Sequence, residues 1–253
     1  MHFYAESHIA QRLFTIKSPH KPAESPRNLR IHQSIARHMG IAIVSGEVAQ
    51  GALLGGEIEQ AEALGVSRTA YREAIRILTA KGLLASRPRA GTHVTPRKQW
   101  NLLDPEMLAW AFASAQPDEG FIRDLFELRG IIEPAAAALA ATRRSAAQLA
   151  DMQSALDDMR LYGLASEAGQ AADRLFHDRL LAASGNEALA SLAGSVGAAV
   201  QWTTAFKQRI SVAPRDPLPE HEAVLRTVIA GDANAAAAAM RHLLELARED
   251  MRG

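Results

Sequence analysis

The chain has 253 residues, with 28 basic and 28 acidic side chains, 48% hydrophobic residues and no cysteine. That composition fits one large or two modest globular domains and excludes disulfide scaffolds, thiolate metal sites and cysteine nucleophiles. The amino-terminal MHFYAESHIAQR carries Glu6 and Arg12 and lacks an apolar core of signal-peptide length, so a cytoplasmic location is expected. Residues 188–206 are uncharged, yet they are built from Ala, Ser, Gly, Thr and Gln. They read as a helix buried in a bundle, and no membrane partner is expected.

The neutral total hides two opposed halves. Up to Lys98 there are 14 basic and 7 acidic residues, and from Gln99 onwards 14 and 21. A basic module that meets a polyanion and an acidic module with another task follow from that split. The expected organisation is a flexible arm over 1–26, a basic domain over 27–98, a linker over 99–117 and a helical domain over 118–253.

In chain order, Ile31, Ile35, Met39, Ala42 and Ile43 recur at helical spacing within 29–45, and Gly46 offers a stop. A glycine-bearing connection over 48–56 leads to a short helix over 57–64 that ends at Gly65, and Ser67 caps the next helix. Two helices joined by Gly-Val-Ser have the spacing of a helix-turn-helix. In the second helix Tyr71, Ala74, Ile75 and Leu78 form the inward stripe, which leaves Arg68, Thr69, Arg72 and Arg76 outside. Like charges at i, i+4 destabilise a helix by about 0.2–0.5 kcal/mol per pair, so a row of three arginines is easier to explain if an anion faces it. A solvated face neutralised by Glu62 and Glu73 is the alternative. Residues 83–87 and 92–95 then read as two short strands around the basic turn 88–91, a wing. Helix and wing together point to double-stranded operator DNA as partner.

The stretches GVSRTAYREAIRIL (65–78), KGLL (81–84) and GTHV (91–94) resemble the winged-helix domain of the GntR family of bacterial transcription regulators. The resemblance implies that Arg68, Thr69 and Arg72 approach bases or phosphates, and that Arg89 and Gly91 lie in a DNA-facing wing. Ile58 stands where that family commonly has a DNA-contacting arginine, and Gln60 where it has a packing leucine.

Beyond residue 118 nothing alternates like a strand, and turn signals separate about six Ala- and Leu-rich helical stretches, so an all-α antiparallel bundle is expected. The fold class is therefore mainly α, with an amino-terminal winged helix-turn-helix. This half holds only three of the nine histidines, His177, His221 and His242. Asp173 and His177, four residues apart, share one helix face in a chelating geometry, and His221 and His242 from other helices can complete a site for zinc first, or for nickel, manganese or iron. An Asp with a His four later is also common by chance, which leaves surface or hydrogen-bonded histidines as the alternative.

The strings DRLFH (173–177), PEH (219–221) and AMRHL (239–243) resemble the metal-binding pattern of the helical FCD effector domain in the FadR-like branch of the GntR family. That resemblance implies a divalent ion in the bundle, held by Asp173, His177, His221 and His242, with a small organic acid placing its carboxylate near the metal. Arg129, amid apolar residues, either grips that carboxylate or pairs with Glu133 at i, i+4. The junction 96–110 is similar to the same stretch in repressors of galactonate and related sugar-acid operons, which implies an aldonate or uronate effector, while Trp100 and Trp110 pin the linker. The expected function is a ligand-responsive, homodimeric DNA-binding repressor. A metal-dependent hydrolase is the first alternative, although HExxH is absent and nothing positions Glu220 as a base. A metal-free acyl-ligand sensor with incidental histidines is the second.

Overall fold

The computed structural model describes residues 31–87, 91–113 and 117–252. The expected arm over 1–26 and the expected wing residue Arg89 lie outside the described residues. The chain divides into two compact units, Met1–Leu102 and Leu103–Gly253.

In the first unit, α1 (Ile31–Val44) buries Ile35, Ala36, Ala42 and Ile43 and packs on the helix of the arginine row. Ile31, the first of the expected stripe, is instead exposed, because the stripe only reaches its packing partner a turn later. The helix-turn-helix is α2 (Glu57–Ala63) followed by α3 (Arg68–Ala80). Gly65 at φ 64° turns the chain between them. The Ser67 hydroxyl accepts from the Ala70 amide at 3.1 Å and satisfies one of the helix's free N–H groups. Ala70, Tyr71, Ala74 and Leu78 face inward.

The wing is β1 (Leu84–Arg87) paired antiparallel with β2 (Gly91–Val94), in the register Leu84↔Val94 to Arg87↔Gly91. Ser86 and Thr92 hydroxyls meet across it at 2.8 Å. Behind the wing the chain folds back on the end of α3. Gly82 has φ 78°, and a Cβ there would run into the Gln99 carbonyl, so only glycine fits. The Trp100 indole N–H donates to the Thr95 carbonyl and hydroxyl at 3.1 and 3.0 Å, and the Asn101 amide donates to the Lys81 carbonyl, so Trp100 pins the linker to the winged unit.

The second unit comprises α4 (Pro105–Ala113), α5 (Glu119–Arg143), α6 (Ala146–Tyr162), α7 (Glu167–Ala183), the single turn α8 (Glu187–Ala190), α9 (Ala193–Ile210), α10 (Leu218–Ala230) and α11 (Ala233–Glu249), then a 3-10 turn, Asp250–Arg252. Side chains at Asp118, Ser145, Ser166, Asn186 and Asp232 cap the helices that follow them, and Gly231 ends α10 in the left-handed region. α11 lies along α5, and α6 and α9 flank α7, around a core of alanines, leucines and methionines with Phe176 inside it. Alanine-lined faces let these helices approach closely, which leaves α7 enclosed on several sides. Trp110 is buried in this unit on α4, which packs against α9. The uncharged stretch 188–206 falls mostly in α9, whose Val196–Val200 turn is buried. Among the described residues no helix is long and apolar enough to cross a membrane.

Candidate metal centre and nucleic-acid interface

α7 carries Asp173 and His177 one turn apart, and α10 brings His221 to them in its first turn. All three are buried, at 3%, 1% and 2% exposure, and their ligand atoms lie within 4.8 Å of one another. The two Nε2 atoms are 3.3 Å apart, and Asp173 Oδ1 is 3.1 Å from His221 Nε2 and 3.6 Å from His177 Nε2.

What the other side of each group touches decides its chemistry. His221 Nδ1 faces the Pro217 carbonyl at 2.8 Å, and a carbonyl can only accept, so Nδ1 carries the hydrogen and Nε2 presents a lone pair. His177 Nδ1 faces Glu133 Oε2 at 2.5 Å, and an ionised carboxylate likewise only accepts. Asp173 uses Oδ2 to accept from the Thr204 hydroxyl at 2.8 Å, which leaves Oδ1 for the histidines. Three electron pairs from two neutral imidazoles and a carboxylate therefore converge at a buried point, an arrangement that a cation or a proton at its centre satisfies. A metal fits: two metal–nitrogen bonds of the usual length at the tetrahedral angle place the nitrogens about 3.3 Å apart, with room left for further ligands.

When a proton fills that role, it sits on His177. Burial opposes its charge, but the carboxylates of Glu133 and Asp173 outweigh burial and push its pKa up to about 9. Burial works against the Glu133 charge too, yet Arg129 and His177 bring its pKa down to about 2, and the two histidines hold Asp173 below the usual carboxylate range in the same way. A raised histidine pKa stabilises the fold fully below the unfolded value near 6.5 and loses that contribution as pH rises through 9. A lowered Glu133 pKa contributes above about 4.5 and loses it as pH falls towards 2. Metal-free protein is thus expected to melt at its highest temperature between about pH 4.5 and 6.5. Zinc must displace the His177 proton, so its affinity should climb as pH rises towards 9. Melting curves of chelator-treated protein and competitive zinc titrations across pH check both; zinc affinity that is flat with pH would contradict the assignment.

Glu133 also accepts from Arg129 Nε at 2.6 Å through Oε1, so one buried carboxylate bridges Arg129 and His177. Arg129 is 4% exposed and its Nη1 lies 3.4 Å from the Thr203 hydroxyl. Arg129 thus makes the i, i+4 ion pair with Glu133, and it also lines a cavity of about 40 Å³ next to the Asp173–His177–His221 cluster. Phe176 stands edge-on to both imidazoles, with ring centroids 5.9 and 5.1 Å away, and holds their orientation.

His242 is not brought to this cluster and is corrected as a ligand. It is exposed on α11, whereas Leu243, buried at 2%, lines the cavity in its stead. One residue turns a helix by about 100°, so the stripe Met240, Leu243, Leu244 faces inward and carries His242 outward. Sequence reasoning missed Glu133 as the partner of His177, and it missed Lys207 and Arg215, which line the same cavity.

In the winged unit Arg68, Thr69, Arg72 and Arg76 are all exposed on the outer face of α3. Arg68 is 3.3 Å from Glu57 and Arg76 is 2.7 Å from Glu73, while Arg72 makes no ion pair among the described residues. Exposed pairs of this kind are worth at most about 1 kcal/mol, so a phosphate can replace either acid. Gly91 opens β2 at φ 77°, in the left-handed region that glycine adopts without strain. Ile58 is exposed on α2, and Gln60 is buried at 6% where a leucine was the expected packing residue, so the helix is seated despite the exchange.

Comparison with known proteins bears on both units. Residues 31–94 match the family described as bacterial regulatory proteins, gntR family, and residues 124–246 match the FCD domain. The uncharacterized HTH-type transcriptional regulator YieP of Escherichia coli (strain K12) is 35% identical over 212 residues, covering 83% of this chain and 90% of that protein. This chain belongs to the GntR family. It is a GntR-type transcription regulator with an FCD domain, not an enzyme, which sets aside the hydrolase alternative. The galactonate operon transcriptional repressor of the same organism is 36% identical over 154 residues, covering 61% of this chain and 67% of the repressor. Among solved structures, Lar, described as controlling the expression of the Listeria monocytogenes agr system, shares the fold at a TM-score of 0.61 with 16% identity, over 89% of this chain and 98% of that one.

Proposed function

We propose that this GntR-type regulator is a homodimeric repressor that leaves its operator when a small carboxylate effector, of sugar-acid type, binds at a divalent ion held by Asp173, His177 and His221. The observation that carries the reading is the convergence of three lone pairs, each fixed by its outer partner, beside a buried arginine. With only three protein ligands, a bound zinc, nickel, manganese or iron ion keeps coordination positions that attract a carboxylate. Arg129 supplies donors on the same cavity wall, with Thr203 accepting from its Nη1 and Glu133 holding it in place. The name of the galactonate repressor among its relatives supports a sugar acid as the effector class. In the winged unit the exposed row Arg68, Thr69, Arg72 and Arg76, with Arg89 and Gly91 of the wing, serves as the DNA-facing surface. Two such surfaces in a dimer would read a palindromic operator, and the effector acts by its differential affinity for the arrangements of the dimer that fit and do not fit that spacing.

The test is operator binding by zinc-loaded protein in the presence of a panel of aldonates and uronates. At least one acid is expected to lower operator occupancy and to raise the melting temperature, by mass action on the folded state. If no acid shifts the melting temperature and none changes operator occupancy, the effector assignment is wrong.

A further inference from the structure

The cavity wall carries two cations, Lys207 and Arg215, that do not touch the metal cluster. On α9, Thr203 touches Arg129 and Thr204 touches Asp173, and Lys207 follows one turn later, about 5 Å along the helix axis. Lys207 is 7% exposed, and its ammonium donates to the Arg215 carbonyl and to Asp250 Oδ2, both at 2.7 Å. Arg215, in the α9–α10 connection, turns its guanidinium to the same carboxylate, with Nε 3.2 Å and Nη2 3.1 Å from Asp250 Oδ2. Its Nη1 is 2.8 Å from Glu220 Oε2. Yet neither Nη1, Nη2 nor Glu220 Oε2 is aligned for a hydrogen bond, so the fork holds buried donors that an aligned acceptor can still take up. Two cations thus converge on one carboxylate at the carboxy-terminal turn, in the wall of the same cavity.

We propose that Lys207 and Arg215 form a second anion subsite in which Asp250 is an internal stand-in, so that the effector is a dianion whose far acid group displaces Asp250. The inference rests on the effector reading above and narrows its ligand class to a diacid, or to a sugar acid with a phosphate at its far end. The cavity, at about 40 Å³, holds only two or three water molecules, and Leu243, Ala247 and Met251 wall it from α11 and the turn that Asp250 anchors. A sugar acid that extends from the ion to Lys207 and Arg215 meets the donors that Asp250 now occupies. A buried ammonium without a counter-charge is strongly unfavourable, so whatever takes the place of Asp250 must itself be anionic. A terminal hydroxymethyl group cannot do this, whereas a carboxylate replaces like with like.

Glucarate and gluconate share a carbon skeleton and differ at the far carbon, carboxylate against hydroxymethyl, so they isolate the effect. Zinc-loaded full-length protein is titrated calorimetrically with each, and with 6-phosphogluconate as the phosphate-bearing counterpart. A diacid or phospho-acid is expected to bind at least about tenfold more tightly than gluconate, and the stronger of the two identifies the acid group. Lys207→Met is expected to collapse that ratio to within about twofold, and Asp250→Asn, which removes the internal competitor without touching the cations, to tighten glucarate binding. Gluconate binding as well as both dianions in the wild type, or an unchanged ratio in Lys207→Met, overturns the subsite alone. Binding of none of these acids overturns both the subsite and the sugar-acid effector.

Discussion

Glu133→Ala is expected to lower the stability of the helical unit by about 3–5 kcal/mol and to weaken zinc binding by about 10–100-fold or more in the same step. The magnitude follows from what the substitution leaves behind. Arg129 is 4% exposed and Glu133 is the carboxylate that neutralises it, at 2.6 Å, so alanine strands a buried guanidinium. It also removes the acceptor at His177 Nδ1, which frees that ring to turn and to place its hydrogen on the nitrogen that faces Asp173 and His221. Loss of an outer partner of a metal-binding histidine costs 10–100-fold in affinity on the usual scale, and here it is compounded by the loose arginine. The double change Arg129→Leu with Glu133→Leu separates the two effects, because it removes both charges together. It should recover much of the stability in urea unfolding and none of the zinc affinity. A single Glu133→Ala that costs under about 1 kcal/mol and keeps wild-type zinc affinity would show that the carboxylate neither neutralises Arg129 nor orients His177.

The second large effect is expected at the DNA. Arg72→Ala should weaken operator binding by about 1–3 kcal/mol, or roughly 5- to 150-fold, if Arg72 reads a base, and should lower the salt slope by about one if it meets a phosphate. Arg72 is singled out because its neighbours in the row already have partners: Arg68 lies 3.3 Å from Glu57 and Arg76 lies 2.7 Å from Glu73. Each of those must give up an acid before it meets DNA, so Arg68→Ala and Arg76→Ala should cost less. Anisotropy titrations at several salt concentrations distinguish base from phosphate contact. An unchanged affinity and slope in Arg72→Ala would remove α3 as the recognition helix.

These residues differ in how far they could be read in advance. The helix-turn-helix was legible because its signals are local: Gly65 takes the positive φ, Ser67 caps, and the inward and outward faces of α3 follow from a period of 3.6. Asp173 and His177 were legible for the same reason, as an i, i+4 pair on one face. His242 misled because a motif can be matched while its phase on the helix is off by one residue. The stripe Met240, Leu243, Leu244 was there to be read, and it points His242 away from the bundle interior. Glu133 was visible only as the helical neighbour of Arg129; its contact with His177 spans 44 positions and exists only once α5 packs on α7. Lys207, Arg215 and Asp250 carry no periodic signal at all, since a connection between helices and a carboxy-terminal turn bring them together.

A cobalt(II) titration of metal-free full-length protein decides whether Asp173, His177 and His221 hold one ion that still accepts a carboxylate. One equivalent per chain is predicted, with a visible spectrum that shifts when a sugar acid is added and with neither signal in His177→Ala. Wild-type protein that takes up no stoichiometric cobalt, or His177→Ala that binds it as well as wild type, would contradict the claim.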